Sequence, residues 1–240
     1  MTDSRTRFSA SRHFALLSGY VALSAADTWL AGHHEGGRIR WITKPLLMPT
    51  LAAAMSQRPS NEMAPATYVG LAGSWVGDIA LLNRSNSGLK RGLLAFSVAQ
   101  SAYISDVVRL RDRDRRITGN PIARRFVTTG LALAPGAAIA AYLKEPVLGP
   151  AVAGYGTLLA THAAGASNLD PGRISKRNRR LRLLGAATFL LSDTLLGVRK
   201  FFLRNNPEFL EGAVMATYTT AQLMIAESTR ARVGEDSNQG

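Results

Sequence analysis

Two aspartates inside apolar stretches are the residues of this chain best suited to acid–base chemistry. Asp78 lies in GLAGSWVGDIALL, residues 70–82, and Asp193 lies in LLGAATFLLSDTLLGV, residues 183–198. Neither stretch carries another charge, and an ionised carboxylate in hydrocarbon costs roughly 3 kcal/mol or more, so an acid placed there usually has a function. One protonated and one ionised carboxyl group can together donate and accept a proton. The pair therefore predicts a functional polar pocket within a helical bundle.

Seven further polar side chains lie in or beside apolar segments, where they could orient a substrate or a water molecule. Several are spaced three or four residues apart, so they share a helix face. Hydrogen bonding between neighbouring helices is the alternative role for each of them. Lys44, followed by Pro45 in a predicted first helical turn, could hold a lipid phosphate near a membrane face. The predicted substrate-binding residues are Lys44, Ser74, Gln100, Tyr103, Ser192, Tyr218 and Gln222.

The other titratable residues of the apolar segments are interpreted as structural. Asp27 and Asp106 lie nearer to segment ends, from which they can reach the membrane interface, and His162 is expected to be a hydrogen-bonded helix residue. The chain has no cysteine, which excludes disulfides, thiolate nucleophiles and cysteine-based metal sites. Its four histidines show no HxxxH or HExxH spacing, so neither a metal nor another cofactor is predicted.

The elements that must position these residues are apolar segments separated by clusters of charge. The 240 residues are 46% hydrophobic, and most segments approach the length of about 20 residues that spans a bilayer. Small residues, which allow close helix contact in lipid, fill them. A soluble α-helical protein would show a polar stripe at helical spacing, which the segments lack. We therefore predict an all-α, polytopic membrane bundle of about eight transmembrane helices, near residues 13–31, 42–56, 66–82, 92–108, 126–143, 147–166, 183–198 and 208–226.

The basic residues behind the net charge of +13 are distributed unequally between the two sides of the predicted bundle. With eight spans, the side that holds both termini carries 19 Lys/Arg and the other side carries 10, and the basic loops at 109–125 and 173–182 belong to the first side. Lys/Arg-rich loops face the cytoplasm, so both termini are predicted there. The basic loops are expected to contact anionic membrane lipids. No nucleic-acid partner is predicted, because no binding motif or interleaved aromatic residues accompany the charge.

The predicted organisation is one membrane domain with short polar ends. Residues 1–12 form a cytoplasmic N-terminal segment, residues 13–228 form the transmembrane domain, and residues 229–240 form a disordered polar tail. The expected location is the plasma membrane of a prokaryote.

Five motifs, in this order, carry a resemblance to a known family. They are TKPLLMP at 43–49, GSWVGDIALL at 73–82, GLLAFSVAQSAYI at 92–104, FLLSDTLLG at 189–197 and Y-x-x-A-Q at 218–222. Together they resemble the YhhN-like family of integral membrane proteins, which includes the lysoplasmalogenases. The resemblance covers residues 15–226 and implies an eight-helix bundle. It also implies hydrolysis of the vinyl-ether bond of lysoplasmalogens to a fatty aldehyde and a glycerophospho-base.

The resemblance has one departure with chemical consequences. Members of the family often carry His where this chain has Gln100. Glutamine can position a water molecule but cannot titrate, so a proton shuttle at this position would be lost.

Two buried acids fit vinyl-ether hydrolysis. One carboxyl group protonates the alkene carbon, and a second, ionised carboxylate stabilises the oxocarbenium-like cation and activates water. This is the logic of two-carboxylate glycoside hydrolysis. Asp78 and Asp193 are the predicted pair, with a lysophospholipid-type substrate. A transporter that uses the aspartates for protons or cations, and a non-catalytic lipid-binding protein, remain alternatives.

Overall fold

A computed structural model describes residues 2–33, 37–57, 63–203, 205 and 207–229, and within these ranges the chain is built from α-helices. Each of the eight predicted segments lies on its own helix, so the all-α prediction is confirmed. A π-helical segment, Val198–Phe202, continues the seventh helix. The helices are α1 (Thr2–Ala31), α2 (Arg40–Ser56), α3 (Pro65–Leu82), α4 (Asn86–Arg109), α5 (Pro121–Lys144), α6 (Leu148–Ala166), α7 (Lys176–Gly197) and α8 (Glu208–Ser228).

Several helices begin earlier than their apolar segments do. α4 begins at Asn86 rather than near 92, and α7 begins at Lys176 rather than near 183. A serine precedes each helix and caps it. The Ser85 hydroxyl accepts the backbone N–H of Gly88 in α4, and the Ser175 hydroxyl accepts the backbone N–H of Asn178 in α7. Such caps satisfy otherwise unpaired amides and start a helix in polar sequence, which hydropathy alone does not detect.

The structure can be compared with the predicted limits of the membrane domain at its two ends. Residues 1–12 were predicted as a segment ahead of the first span, and from Thr2 onward they are continuous with α1. The predicted polar tail lies outside the described residues except for Thr229. The division into a membrane domain with two short ends stays a prediction.

α2 contains two prolines, and a tryptophan of α3 compensates for one of them. The prediction of Pro45 in the first turn is wrong, because α2 begins at Arg40 and places this proline in the helix interior. Pro49 has no N–H with which to bond the carbonyl of Pro45, four residues earlier. The indole Nε1 of Trp75 donates to that carbonyl at 2.8 Å. This contact fastens α3 to α2 beside Lys44.

The helices pack as hairpins whose turns lie at one end of the bundle. Consecutive helices pair as α1–α2, α3–α4, α5–α6 and α7–α8, while α8 also packs on α1 and α4 on α6. We call the end that carries the four hairpin turns the Asp78 end, because Asp78 lies one turn from the end of α3 at Leu82. α5 lies at the periphery, where only Ala123 and Ala141 are buried.

The bundle exposes apolar side chains and buries polar ones. Large apolar residues are exposed on several helices, including Phe14, Leu94, Leu131 and Leu143, whereas buried positions include aspartates, glutamines and histidines. This distribution is typical of a protein whose surroundings are lipid. Among the described residues, three helices are long and apolar enough to cross a membrane, namely Ala10–Ala31, Pro121–Lys144 and Lys176–Phe202. The remaining predicted spans stay predictions.

Candidate functional site

Asp78 lies between a lysine and a tyrosine in the interior of the bundle. Its side chain is 2% exposed, and its Oδ1 lies 3.5 Å from Nζ of Lys44 on α2. Its other oxygen, Oδ2, accepts a hydrogen bond of 2.7 Å from the hydroxyl of Tyr218 on α8. A buried carboxylate needs such partners, because it has lost its hydration. Three helices thus converge on one acid.

A second set of hydrogen bonds lies one helical turn away on the same helices. Nε2 of Gln222 donates to Oγ of Ser74 at 2.8 Å, and Oε1 of Gln222 accepts the hydroxyl of Tyr103 at 2.8 Å. Ser74 is four residues before Asp78 on α3, while Gln222 is four residues after Tyr218 on α8. The two antiparallel helices are therefore joined by two successive polar contacts, which fix their relative register.

Two glycines of α3 make room for aromatic rings beside this network. A Cβ atom on Gly70 would lie 2.1 Å from Cε1 of Tyr103, and a Cβ atom on Gly77 would lie 2.5 Å from Cε2 of Phe96. Real Cβ atoms are not found so close to other heavy atoms, so a side chain at either position would displace the ring. The small residues let α4 approach α3 closely enough for the Tyr103 hydroxyl to reach Gln222.

Asp193 is held by a separate set of residues. The hydroxyl of Tyr155 on α6 donates to Oδ2 of Asp193, and this carboxylate is only partly buried. Nearby on α4 and α6, Oε1 of Gln100 lies 2.8 Å from Nδ1 of His162. The imidazole also stacks on the Tyr103 ring, with centroids 5.5 Å apart. His162 is thus a hydrogen-bonded helix residue, as predicted.

The side-chain amide nitrogen of Gln100 differs from the amide oxygen in its surroundings. Gln100 is fully buried, and its Nε2 atom has no hydrogen-bond partner within the described part of the chain. A buried donor without a partner is costly, and such groups often meet a bound water or ligand. Gln100 of α4 is thus in contact with His162 of α6 through its oxygen.

Three aromatic rings pack between the groups that hold the two aspartates. Phe96, Phe189 and Tyr218 make mutual edge-to-face contacts, with centroids between 5.6 and 6.3 Å apart. Tyr218 bonds Asp78, and Phe189 lies one turn before Asp193 on α7. The predicted pair thus has separate hydrogen-bonding partners, and a cavity shared by both carboxylates remains a prediction.

The other predicted site residues divide between these networks. Lys44, Ser74, Tyr103, Tyr218 and Gln222 belong with Asp78. Gln100 contacts His162 instead, and Ser192 donates to the backbone carbonyl of Val214 at 3.0 Å, which joins α7 to α8.

Two further buried acids are paired with arginines. Asp27 accepts Arg40 at 3.3 Å and the hydroxyl of Thr43 at 2.7 Å. At the opposite end of the bundle, Asp106 accepts Arg182 at 2.6 Å. Arginine partners inside the bundle, rather than the membrane interface, stabilise the charges of both acids, and their structural roles stay a prediction.

A cavity of about 290 Å³ opens at the Asp78 end, next to Lys44. Its walls come from the α1–α2 connection, α2, the end of α3, the α3–α4 connection and α8. Most of its polar wall is cationic, and one carboxylate, Glu211, faces it. The polar and aromatic side chains that line it are Arg38, Arg40, Trp41, Lys44, Arg84 and Glu211.

Sequence reasoning missed several members of these networks. Tyr155 lies in an apolar segment, as Tyr103 and Tyr218 do, so the same criterion of a polar group in an apolar helix identifies it. Arg40 lies between the predicted segments 13–31 and 42–56, and Glu211 lies near the start of segment 208–226. Charged residues are ordinary at such positions, so the sequence offers no signal for them. Among the described residues, no group of three His, Asp or Glu is placed to hold a metal ion.

Comparison with known proteins gives one match. A family model described as the YhhN family matches residues 39–229, which cover most of the chain and every residue of the Asp78 network. Neither the curated proteins nor the solved structures contain a match to the chain.

Proposed function

The chain belongs to the YhhN family, and from that premise we propose that it is a membrane-embedded hydrolase that cleaves the vinyl-ether bond of lysoplasmalogen. The products are a fatty aldehyde and a glycerophospho-base. The observation that carries the proposal is Asp78, a carboxylate buried among apolar helices between the ammonium group of Lys44 and the hydroxyl of Tyr218. An acid that is so costly to bury points to a functional site.

The proposed reaction uses one carboxyl group as an acid and one carboxylate as a base. A carboxyl proton passes to the alkene carbon that is not bonded to oxygen, which leaves an oxocarbenium cation. A water oxygen bonds to the cationic carbon, and its proton passes to the carboxylate. The hemiacetal hydroxyl then gives its proton to the carboxylate that acted as the acid, and its C–O bond becomes the C=O bond of the aldehyde. The bond to the glycerol oxygen breaks, and that oxygen takes the proton held by the other carboxyl group, so both side chains return to their starting states. One vinyl ether and one water become one aldehyde and one alcohol.

The surroundings of the two aspartates support different roles. Asp78 lies 3.5 Å from the ammonium group of Lys44, a cation that can pair with its carboxylate, so we assign to Asp78 the stabilisation of the oxocarbenium cation and the activation of water. Asp193 has a neutral hydroxyl partner in Tyr155 and is partly exposed, so we assign proton donation to it. Both act on one substrate if the vinyl ether lies along the Phe96–Phe189–Tyr218 cluster, whose rings are suited to contact an alkenyl chain.

The proposed location follows from the helices and the charge. All eight helices are proposed to cross the membrane, with the Asp78 end on the side opposite the basic loops and both termini in the cytoplasm.

The decisive experiment is incubation of the purified protein with lysoplasmalogen and measurement of aldehyde release. We expect release that depends on the protein and is absent with the matching 1-acyl lysophospholipid, which lacks the vinyl ether. If the folded protein releases no aldehyde from any ether lipid, the hydrolase proposal is refuted. Movement of a solute would then favour a transporter, and lipid binding without turnover would favour a non-catalytic protein.

A further inference from the structure

We infer that the cavity at the Asp78 end is a phosphate-binding site, and that Arg38 and Arg84, rather than Lys44, bind the phosphate. The inference deepens the proposed function, since it names the part of the substrate that is recognised. The choice of a lysophospholipid as the substrate class rests on the proposed function. The sequence suggested Lys44 for this role because lysine is a common phosphate ligand. In the structure, Lys44 is already occupied by Asp78.

Among the described charged residues that line the cavity, two arginines have no acid of their own. Arg40 contacts both Asp27 and Glu211, and Arg199 donates to Oε2 of Glu211 at 2.8 Å. These two arginines and two acids form a balanced cluster.

Lys44 adds no unpaired positive charge to the cavity, because its ammonium group is paired with the carboxylate of Asp78. Among the charged residues that line the cavity, Arg38 and Arg84 remain, and their guanidinium donors suit the oxygens of one phosphate group.

Both arginines have exposed side chains that a ligand can reach. The side chain of Arg84 is 65% exposed, and its nearest acid oxygen, on Glu211, is 3.9 Å away and already accepts Arg199. Arg38 is exposed and lines the same cavity. A guanidinium group has donors spaced to bind two phosphate oxygens at once, which makes arginine well suited to phosphate recognition.

The position of the cavity fits a lysophospholipid. Trp41, 54% exposed, lies on its wall, and tryptophan is enriched at the level of lipid headgroups. Lys44 lies between the cavity and Asp78, since it lines the first and contacts the second. In a lysophospholipid, the three-carbon glycerol separates the phosphate from the ether oxygen. A phosphate held in the cavity would therefore direct the ether bond past Lys44 toward Asp78.

A phosphate group can come from a lipid headgroup or from a free phosphate monoester, and binding measurements separate the two. The protein is the full chain in a non-ionic detergent. The probes are 1-acyl-lysophosphatidylcholine, monoacylglycerol, which lacks the phosphate, and glycerol 3-phosphate. None of them contains a vinyl ether, so binding is measured apart from hydrolysis.

The test variant is Arg38→Gln/Arg84→Gln, and the matched control is Lys90→Gln/Arg91→Gln, which removes two charges from the nearby first turns of α4. We expect the Kd for lysophosphatidylcholine to rise tenfold or more in the test variant and less than twofold in the control. Affinity for monoacylglycerol should not change. Thermal unfolding of both variants verifies that they remain folded.

The outcomes are distinguishable. Arginine-dependent binding of lysophosphatidylcholine alone identifies a lipid headgroup, and equal arginine-dependent binding of glycerol 3-phosphate identifies a free phosphate monoester. Affinities that are unchanged in the test variant would overturn the inference, as would a folded Lys44→Gln/Asp78→Asn variant that loses as much affinity as the arginine variant does. Arginine-dependent binding in a protein that releases no aldehyde would support the phosphate site and refute the hydrolase.

Discussion

The hydroxyl of Tyr218 donates a hydrogen bond of 2.7 Å to Oδ2 of Asp78, across 140 residues of sequence. One turn further along both helices, Gln222 repeats the connection with Ser74. The oxygen of Asp78 that Tyr218 does not use faces Lys44. The acid is therefore oriented from two sides, and any role for it in catalysis depends on Tyr218 as well as on Lys44.

Removal of the Tyr218 hydroxyl should slow the proposed reaction. Tyr218→Phe keeps the ring contacts with Phe96 and Phe189 and deletes only the donor to Asp78. Hydrogen bonds to charged groups contribute about 1.5–3 kcal/mol, so we expect aldehyde release to fall roughly tenfold to a hundredfold. Tyr20→Phe is the matched control, because its buried hydroxyl donates to the backbone of Thr219 instead. Equal losses in both variants would show that the effect is structural.

Replacement of Lys44 should destabilise the protein through Asp78. Lys44→Met keeps much of the side-chain length but leaves a buried carboxylate without its cation, which typically costs about 3–5 kcal/mol in the free energy of unfolding. Lys44→Met/Asp78→Asn should recover most of this loss, because the amide carries no charge. Unfolding in detergent for the wild type, both single variants and the double variant measures the coupling. Additive losses would mean that the two side chains do not stabilise each other.

The two aspartates should be required for turnover. Asp78→Asn and Asp193→Asn preserve side-chain volume and remove acid–base capacity, and one positioned proton-transfer group contributes about 10²–10⁴ in rate. We expect each variant to release aldehyde at least about a hundredfold more slowly while remaining folded.

The control is Asp170→Asn, at the opposite end of the bundle, which should retain the wild-type rate. Folded Asp78→Asn or Asp193→Asn protein with full activity would remove that aspartate from the mechanism.

The proposed topology can be tested with single cysteines, since the natural chain has none. Arg115→Cys lies in the basic loop predicted to be cytoplasmic, and Ser87→Cys lies at the Asp78 end. Both native residues are exposed in the structure. In intact cells, a membrane-impermeant maleimide should label Ser87→Cys and should label Arg115→Cys only after the membrane is opened. The reverse labelling pattern would show that the bundle has the opposite orientation in the membrane.

The sequence predicts which polar residues matter better than it predicts their partners. A serine, tyrosine, glutamine or aspartate in an apolar helix must find a hydrogen bond, so Ser74, Tyr103, Tyr218 and Gln222 can be recognised without a structure. Which of them meet depends on how each helix is rotated and which helix lies beside it. Ser192, directly before Asp193 in sequence, therefore points to the backbone of α8 while Asp193 contacts α6.

The partners of charged residues at helix ends cannot be predicted from the sequence. Arg40 and Glu211 come together from α2 and α8, although 171 residues separate them in sequence. Charged residues at the ends of spans are ordinary, because they can reach water or headgroups. Nothing local marks these two as a buried pair, and the surplus charge of Arg38 and Arg84 becomes evident only when all partners are assigned.

The peripheral position of α5 has a consequence for how this protein can change over evolutionary time. Its packing is mainly against α6, and Ala123 and Ala141 are its only buried residues. A helix with so few neighbours is selected for partitioning into lipid more than for shape, so one aliphatic residue can replace another with little effect. The facing polar positions of α3 and α8 have no such freedom, because Asp78 is bonded to Tyr218 and Ser74 to Gln222. Random mutagenesis followed by selection for function should therefore leave α5 variable in sequence and these four positions nearly invariant.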